Sequence, residues 1–213
     1  AIAGDSAGNV RIWELANPES KQEVKVHDGA VTGAAFTADG THIVTSSSDS
    51  TLRVRARDGE PNEIKVTTPA AINAMALVKE GALVATAHAD NVVRIWPIPE
   101  AETTAPTKEL KGHSGAVNCL ASHAAQIVTG AEDNTARIWN VDEGNEVRAF
   151  DHGAPVKAVA ISPDGKRLAT VGGPVIKIWN MEDGAMLAEI KGDDRMIENA
   201  NEAELASNVA KKT

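Results

Sequence analysis

Thr135-Ala136-Arg137-Ile138-Trp139 decides the fold, because the chain holds this stretch in five versions. The others are Asn9-Val10-Arg11-Ile12-Trp13, Thr51-Leu52-Arg53-Val54-Arg55, Val92-Val93-Arg94-Ile95-Trp96 and Val175-Ile176-Lys177-Ile178-Trp179. The tryptophans at 13, 96, 139 and 179 lie 83, 43 and 40 residues apart. Halving the first gap points to residue 54 or 55, where Arg55 stands in the tryptophan slot. Self-similarity at a period near 40 residues is the mark of a repeat architecture.

Each unit divides into short apolar runs separated by turn residues. In the second unit these runs are Val31 to Phe36, His42 to Thr45, Leu52 to Arg55 and Asn62 to Val66. Between them stand Ala38-Asp39-Gly40, Ser48-Asp49-Ser50 and Asp58-Gly59, and the first turn returns as Ser162-Pro163-Asp164-Gly165. Asp-Gly suits tight turns because glycine accepts positive φ. Four strands in a unit of about 42 residues make one propeller blade. A lone blade cannot cover both faces, and stacking blades around an axis does.

Bulk composition agrees. A hydrophobic fraction of 42% and a charged fraction of 24% fit a globular chain with a buried core. Aromatics are only 3%, so the core must be mostly Val, Ile, Leu and Ala, which favours strands. A net charge of −9 repels phosphate backbones and anionic lipid, so neither nucleic acid nor a membrane surface is the expected partner. The single cysteine, Cys119, can form no internal disulfide and sits in a strand pattern as a small core residue. No apolar stretch is long enough to span a bilayer, and no signal peptide is visible. The chain opens at Ala1-Ile2-Ala3-Gly4, which reads as a processed start or part of a longer protein. Compartment stays open, with a soluble cytoplasmic location as the default expectation.

Over residues 1 to about 191 the pattern resembles the WD40 family. That resemblance implies a buried hydrogen-bonded set in each blade: a His before the first strand, a Ser or Thr on the second, an Asp at the following turn and a Trp on the third. The fourth blade has all four as His113, Thr129, Asp133 and Trp139, with Lys111-Gly112-His113 as the family's Gly-His element. The second has His27, Thr45 and Asp49, with Arg55 for Trp. The third has Thr86, Asp90 and Trp96, with Thr68 where His is expected. The fifth has His152, Thr170 and Trp179, with Gly173 at the Asp position. The first keeps Trp13, with Ala7 at the Asp position. The Trp-Asp dipeptide that names the family is absent. A buried polar set is favourable only when every member finds a partner, so blades two, three and five are expected to be looser than blade four.

His, Asp and Thr together suggest a catalytic triad. The set recurs blade by blade, however, and catalysis needs it once, so the reading is structural. His42, His88 and His123 show no paired ligand spacing, and no metal or cofactor is expected. Val171-Gly172-Gly173-Pro174 lacks the Lys-Ser/Thr of a phosphate loop and reads as a turn.

The expected fold is therefore all-β: a WD40-type β-propeller with four complete four-stranded blades and one partial blade. The partial blade covers 1–27, and the others about 28–68, 69–112, 113–152 and 153–191. In the partial blade, residues 1 to 3 end the second strand, Val10 to Leu15 form the third and Gln22 to Val26 the fourth. The family usually has about seven blades, which implies a partial propeller completed by other residues of a longer chain or by a second copy. Open blade faces would be apolar and prone to self-association. Residues 192–213 read as a C-terminal helix, with Asp193-Asp194 as cap and Ile197, Leu205 and Val209 on one face. This tail resembles the helical segments of some large bacterial WD-repeat proteins.

The expected function is a non-catalytic scaffold that binds a protein or peptide. By resemblance, the contact surface comprises Thr32, Asn73, Asn118 and Lys157 at the first-strand starts. Ser50, Asn91, Glu132 and Asn134 at the Asp turns complete it. Alternatives are an architectural segment holding neighbouring domains apart, and a propeller enzyme with groups converging on the central channel.

Overall fold

The computed structural model describes residues 1–57 and 63–192, and every element in it is a β-strand. The tail helix expected over 192–213 and the Asp58-Gly59 turn lie outside the described residues, except for Gly192.

Among the described residues, nineteen strands form five antiparallel sheets. The first sheet has three: β1 (Ile2–Gly4), β2 (Asn9–Glu14) and β3 (Asn17–Lys25). The second has β4 (Val31–Phe36), β5 (His42–Ser47), β6 (Thr51–Ala56) and β7 (Glu63–Thr67). The third has β8 (Ile72–Val78), β9 (Leu83–His88), β10 (Val93–Pro97) and β11 (Lys108–Leu110). The fourth has β12 (Val117–His123), β13 (Gln126–Ala131), β14 (Thr135–Asn140) and β15 (Asn145–Asp151). The fifth has β16 (Ala158–Ile161), β17 (Arg167–Gly172), β18 (Val175–Asn180) and β19 (Met186–Lys191). Strands within a sheet pair in chain order, so each sheet is a meander. In the first sheet the last strand begins at Asn17, five residues earlier than the apolar pattern places it.

Hydrophobic packing joins each sheet to the next. Val10 and Val26 of the first blade cluster with Ile43 of the second. Leu52, Val54 and Val66 pack on Trp96 of the third. Val93, Ile95 and Leu110 pack on Trp139 and Val141 of the fourth. Ala136, Ile138 and Phe150 pack on Trp179 and Met181 of the fifth. The period-2 alternation of strands explains the arrangement. Trp96, Trp139 and Trp179 on their third strands each face the preceding blade. The aliphatics one and three positions before Trp96 and Trp139 face the following blade.

Ion pairs repeat with the blades. Arg11–Glu23, Arg53–Glu63, Arg94–Glu109, Arg137–Glu146 and Lys177–Glu189 each tie a third strand to its fourth. Arg94 is the buried member, 4% exposed, and also makes a forked contact to Asp90 at 3.0 and 2.7 Å.

Candidate functional site

Strands that alternate direction divide the loops between two ends of the molecule. One end carries the turns from second to third strand and the connections between blades. The histidines and aspartates of the repeat stand there.

The fourth blade shows the network whole. Trp139 Nε1 donates to Thr129 Oγ1 at 2.8 Å. Thr129 Oγ1 lies 2.8 Å from His113 Nε2, and His113 Nδ1 lies 2.8 Å from Asp133 Oδ2. An ionised carboxylate only accepts, so Nδ1 carries the proton and Nε2 accepts from the threonine hydroxyl. Every hydrogen is used once, from indole through hydroxyl and imidazole to carboxylate. The rings of His113 and Trp139 meet at 6.0 Å, tilted by 58°. Burial holds the His113 pKa below its ordinary value, although Asp133 opposes the shift. Burial raises the Asp133 carboxyl, but hydrogen bonds from Thr135, the Ser114 N–H and His113 outweigh it and bring it to about 2.

The other blades satisfy the same atoms with different means. In the second, His27 Nε2 meets Thr45 at 2.9 Å and Nδ1 meets Asp49 at 3.1 Å and Thr51 at 2.9 Å. With Arg55 in the tryptophan slot, no indole reaches Thr45. In the fifth, the imidazole is turned over. His152 Nδ1 accepts from Thr170 at 2.8 Å and Nε2 donates to the Gly172 carbonyl at 3.2 Å, replacing the missing carboxylate. A β-carbon on Gly172 would stand 2.5 Å from His152 Cδ2 and 2.7 Å from the Pro155 carbonyl, so the substitute bond requires glycine there.

The third blade departs from the sequence expectation. Asp90 joins no histidine. It turns to Arg94, because Thr68 occupies the histidine position and offers no ring. The imidazole comes instead from His88, which the repeat register passed over. Its Nε2 meets Thr86 at 2.8 Å, its Nδ1 donates to the Ala70 carbonyl at 3.1 Å, and Trp96 Nε1 donates to Thr86 at 2.7 Å. Burial pushes the His88 pKa down to about 4. The signal for it was present: His88 follows Thr86 by two residues on one strand and so shares its face. Blades three and five are therefore not short of hydrogen bonds, contrary to the expectation from their missing residues. In the first blade the turn is held by Asp5, which accepts from the Ala7 and Asn9 N–H groups at 2.9 Å each.

Above these networks lie the residues expected to meet a partner. Thr32, Asn73 and Asn118 are β-bulge residues, where the inner strand slips register against the second. Asn73 and Asn118 use the bulge to reach across a blade junction, donating to the Val117 and Val156 carbonyls at 2.9 and 3.0 Å. Thr32 meets Ser46 at 3.1 Å. Lys157 pairs with Glu132, which also accepts from Asn118. Ser50, Asn91 and Asn134 have φ of 65°, 68° and 67°, the left-handed turn position. The Ser50 and Asn134 carbonyls accept from the Thr68 and His152 N–H groups, tying turn to interblade loop. Glu132, Asn134 and Lys157 are exposed, and the other five are half-buried. Among the described residues, no group of three or more His, Cys, Asp or Glu is arranged to hold a metal ion. No helix there is long and apolar enough to cross a membrane.

The family model of the WD domain, G-beta repeat, matches residues 18–55, 63–97, 104–140 and 144–180, more than half of the chain. Among curated proteins the chain is similar to Transcription initiation factor TFIID subunit 5 of Caenorhabditis elegans. The two are 26% identical over 172 residues, 78% of this chain and 26% of that protein. Eukaryotic translation initiation factor 3 subunit I of Culex quinquefasciatus is 25% identical over 80% of this chain and 44% of its own length. Pre-mRNA-processing factor 19 of Bos taurus is 27% identical over 53% of this chain and 22% of its own. The chain thus spans less than half the length of each of these relatives.

Proposed function

The chain belongs to the WD40-repeat family, and from that membership we propose that it is a non-catalytic scaffold that binds a protein or peptide at the end carrying the Asp turns. One observation carries the reading. The histidines of the repeat networks are turned inward and bonded within their own blades. Both nitrogens of His27, His88, His113 and His152 are engaged, and all four rings are buried. What faces solvent above them is a polar surface fixed by bulges, left-handed turns and junction-crossing amides. A rigid surface binds with little ordering cost, and loops on a rigid scaffold are where binding residues concentrate. Thr32, Ser50, Asn73, Asn91, Asn118, Glu132, Asn134 and Lys157 make up this surface. It offers hydrogen-bond donors and acceptors of both charges but no aromatic anchor. Such a surface suits a polar, extended peptide held by many modest contacts. Two of the relatives are named as subunits, which accords with a part that works inside an assembly.

The test is to select peptides on the immobilised chain and measure their affinity by calorimetry. The double variant Glu132→Ala/Lys157→Ala is compared with a control at the opposite end, Asp183→Ala. The proposal expects at least about tenfold weaker binding for the first and none of that loss for the second, since each lost central contact is worth about 1.4 kcal/mol or more. Selected peptides that bind both variants as tightly as the wild type would refute it.

A further inference from the structure

At the end opposite the Asp turns, two blade junctions are clasped by a cation from a fourth strand. Lys108, paired in register with Ile95, donates to the Asp142 carbonyl at 2.8 Å. Arg148, paired with Ile138, donates to the Glu182 carbonyl at 2.9 Å. Asp142 and Glu182 each follow their blade's tryptophan by three residues. Between blades two and three both halves of the clasp are replaced. Ile64, paired with Val54, stands where the cation would be, and Pro99 follows Trp96 by three residues.

A groove of about 530 Å³ opens there. Val54, Ile64, Ile98 and Pro99 form its apolar floor, and the first three share one cluster with Trp96. Ile98 is half-buried, whereas Val141 and Met181, equally far from their own tryptophans, are buried. A β-carbon on Gly81 would stand 3.1 Å from that of Ala38, so the first turns of the two blades touch and close one end. The rim is acidic: Asp39 and Glu100 line the groove and are both exposed. The Asp39 carboxylate accepts from Thr37 and Thr41 at 2.6 and 2.7 Å, which brings its pKa to about 2. Glu100 makes no ion pair among the described residues. Lys79, on the same turn as Gly81, pairs with Asp142 across the next junction, and His42 on the rim is bonded to Thr41 at 2.8 Å.

We propose that this groove binds a small organic cation, an ammonium head carried on an unbranched apolar body. The body covers Ile64, Ile98 and Pro99 and takes their apolar surface out of water. The head stays at the rim, where Asp39 and Glu100 supply the opposite charge. The volume falls within the range of small-molecule sites, about 300–1,000 Å³. An anion with a similar body would suit the floor but be repelled at the rim. The groove lies at the other end of the molecule from the Asp turns, so this site is independent of the one proposed there.

The test is titration of the isotope-labelled full chain with n-octylammonium, followed by backbone amide NMR. Octanoate supplies a similar body with the opposite charge, and ethylammonium supplies the head almost alone. Octylammonium is expected to shift Ala38, Asp39, Gly81 and Glu100 saturably at millimolar concentration. Octanoate should bind at least about tenfold more weakly, and ethylammonium should not saturate. Ile64→Lys puts into the groove the lysine that blade three carries at the same register, and it should abolish the shifts. Blade three accommodates that lysine, so the variant should fold, and an unchanged spectrum away from the groove checks this. Glu100→Gln, at an exposed position, should weaken binding about threefold. Absence of a saturable shift with octylammonium, shifts confined to residues outside the groove, or equal binding of octanoate would each overturn the proposal. So would unchanged binding in a folded Ile64→Lys.

Discussion

Replacing Thr129 by Val removes one hydroxyl and keeps the shape of the side chain. In the fourth blade that hydroxyl accepts from Trp139 Nε1 and donates to His113 Nε2, so its loss leaves two fully buried polar atoms without partners. Each buried orphan costs roughly 1–3 kcal/mol, and a buried methyl group returns about 1 kcal/mol of that. The expected net loss is about 1–5 kcal/mol. The second blade supplies the control. Thr45 holds His27 Nε2 at 2.9 Å, but Arg55 fills the indole position, so Thr45→Val leaves one orphan instead of two. Its loss should be smaller by about 1–3 kcal/mol. Thr170→Val in the fifth blade again strands an indole and an imidazole and should resemble Thr129→Val. The assay is urea unfolding followed by tryptophan fluorescence, with midpoints compared at equal slope. If Thr45→Val cost as much as Thr129→Val, or if Thr129→Val cost under about 0.5 kcal/mol, the reasoning from counted partners would fail.

Acid should weaken the fold in two steps. His88 is held near pKa 4 by burial against an unfolded value near 6.5, so the unfolded chain binds more protons between these values. That stability is fully present above pH 6.5 and is lost as pH falls toward 4, to the extent of about 3 kcal/mol. Asp49 and Asp133, held near 2, add a second loss as pH falls from about 4 toward 2. Denaturant midpoints across this range check both, and His88→Gln should flatten the upper step. Gly172→Ala should destabilise by more than about 2 kcal/mol, because its β-carbon meets the His152 ring and a backbone carbonyl. Gly40→Asn, with positive φ but open space around it, should cost under about 1 kcal/mol in the same melts. Arg94→Ala removes a buried guanidinium from the part-exposed Asp90 and Glu109 and should cost about 1–3 kcal/mol, whereas Arg11→Ala at the exposed Glu23 pair should cost under about 1 kcal/mol.

The blade period was legible because one strand repeats with its tryptophan in register. Strand alternation then assigned each side chain to a face. Arg55 was visible as an interruption of that register. The early start of β3 was not, because Asn17 to Glu23 carries no apolar alternation and its strand form comes from pairing with β2. His88 was missed because it stands two residues from Thr86 instead of before the first strand. Period 2 alone would have put the two side by side. Asp90 was read by its place in the repeat, yet a carboxylate takes the nearest buried cation, and Arg94 four residues on provides one. The turned ring of His152 depends on where the Gly172 carbonyl points, and no sequence spacing encodes that. At the proposed partner surface, the positions carried over from the family lie at one end. Their bulge geometry and amide bonds across the junctions became visible only with the backbone in place.

The central claim is that this chain is a binding scaffold that works through its Asp-turn end. Hydrogen–deuterium exchange with and without a selected peptide tests it most directly. Added protection is expected in the segments 28–32, 47–51, 69–73, 89–92, 113–118, 132–135 and 153–157, and none in the opposite turns at 37–42, 79–82 and 162–166. Protection confined to those opposite turns, or no peptide that protects either end, would contradict it.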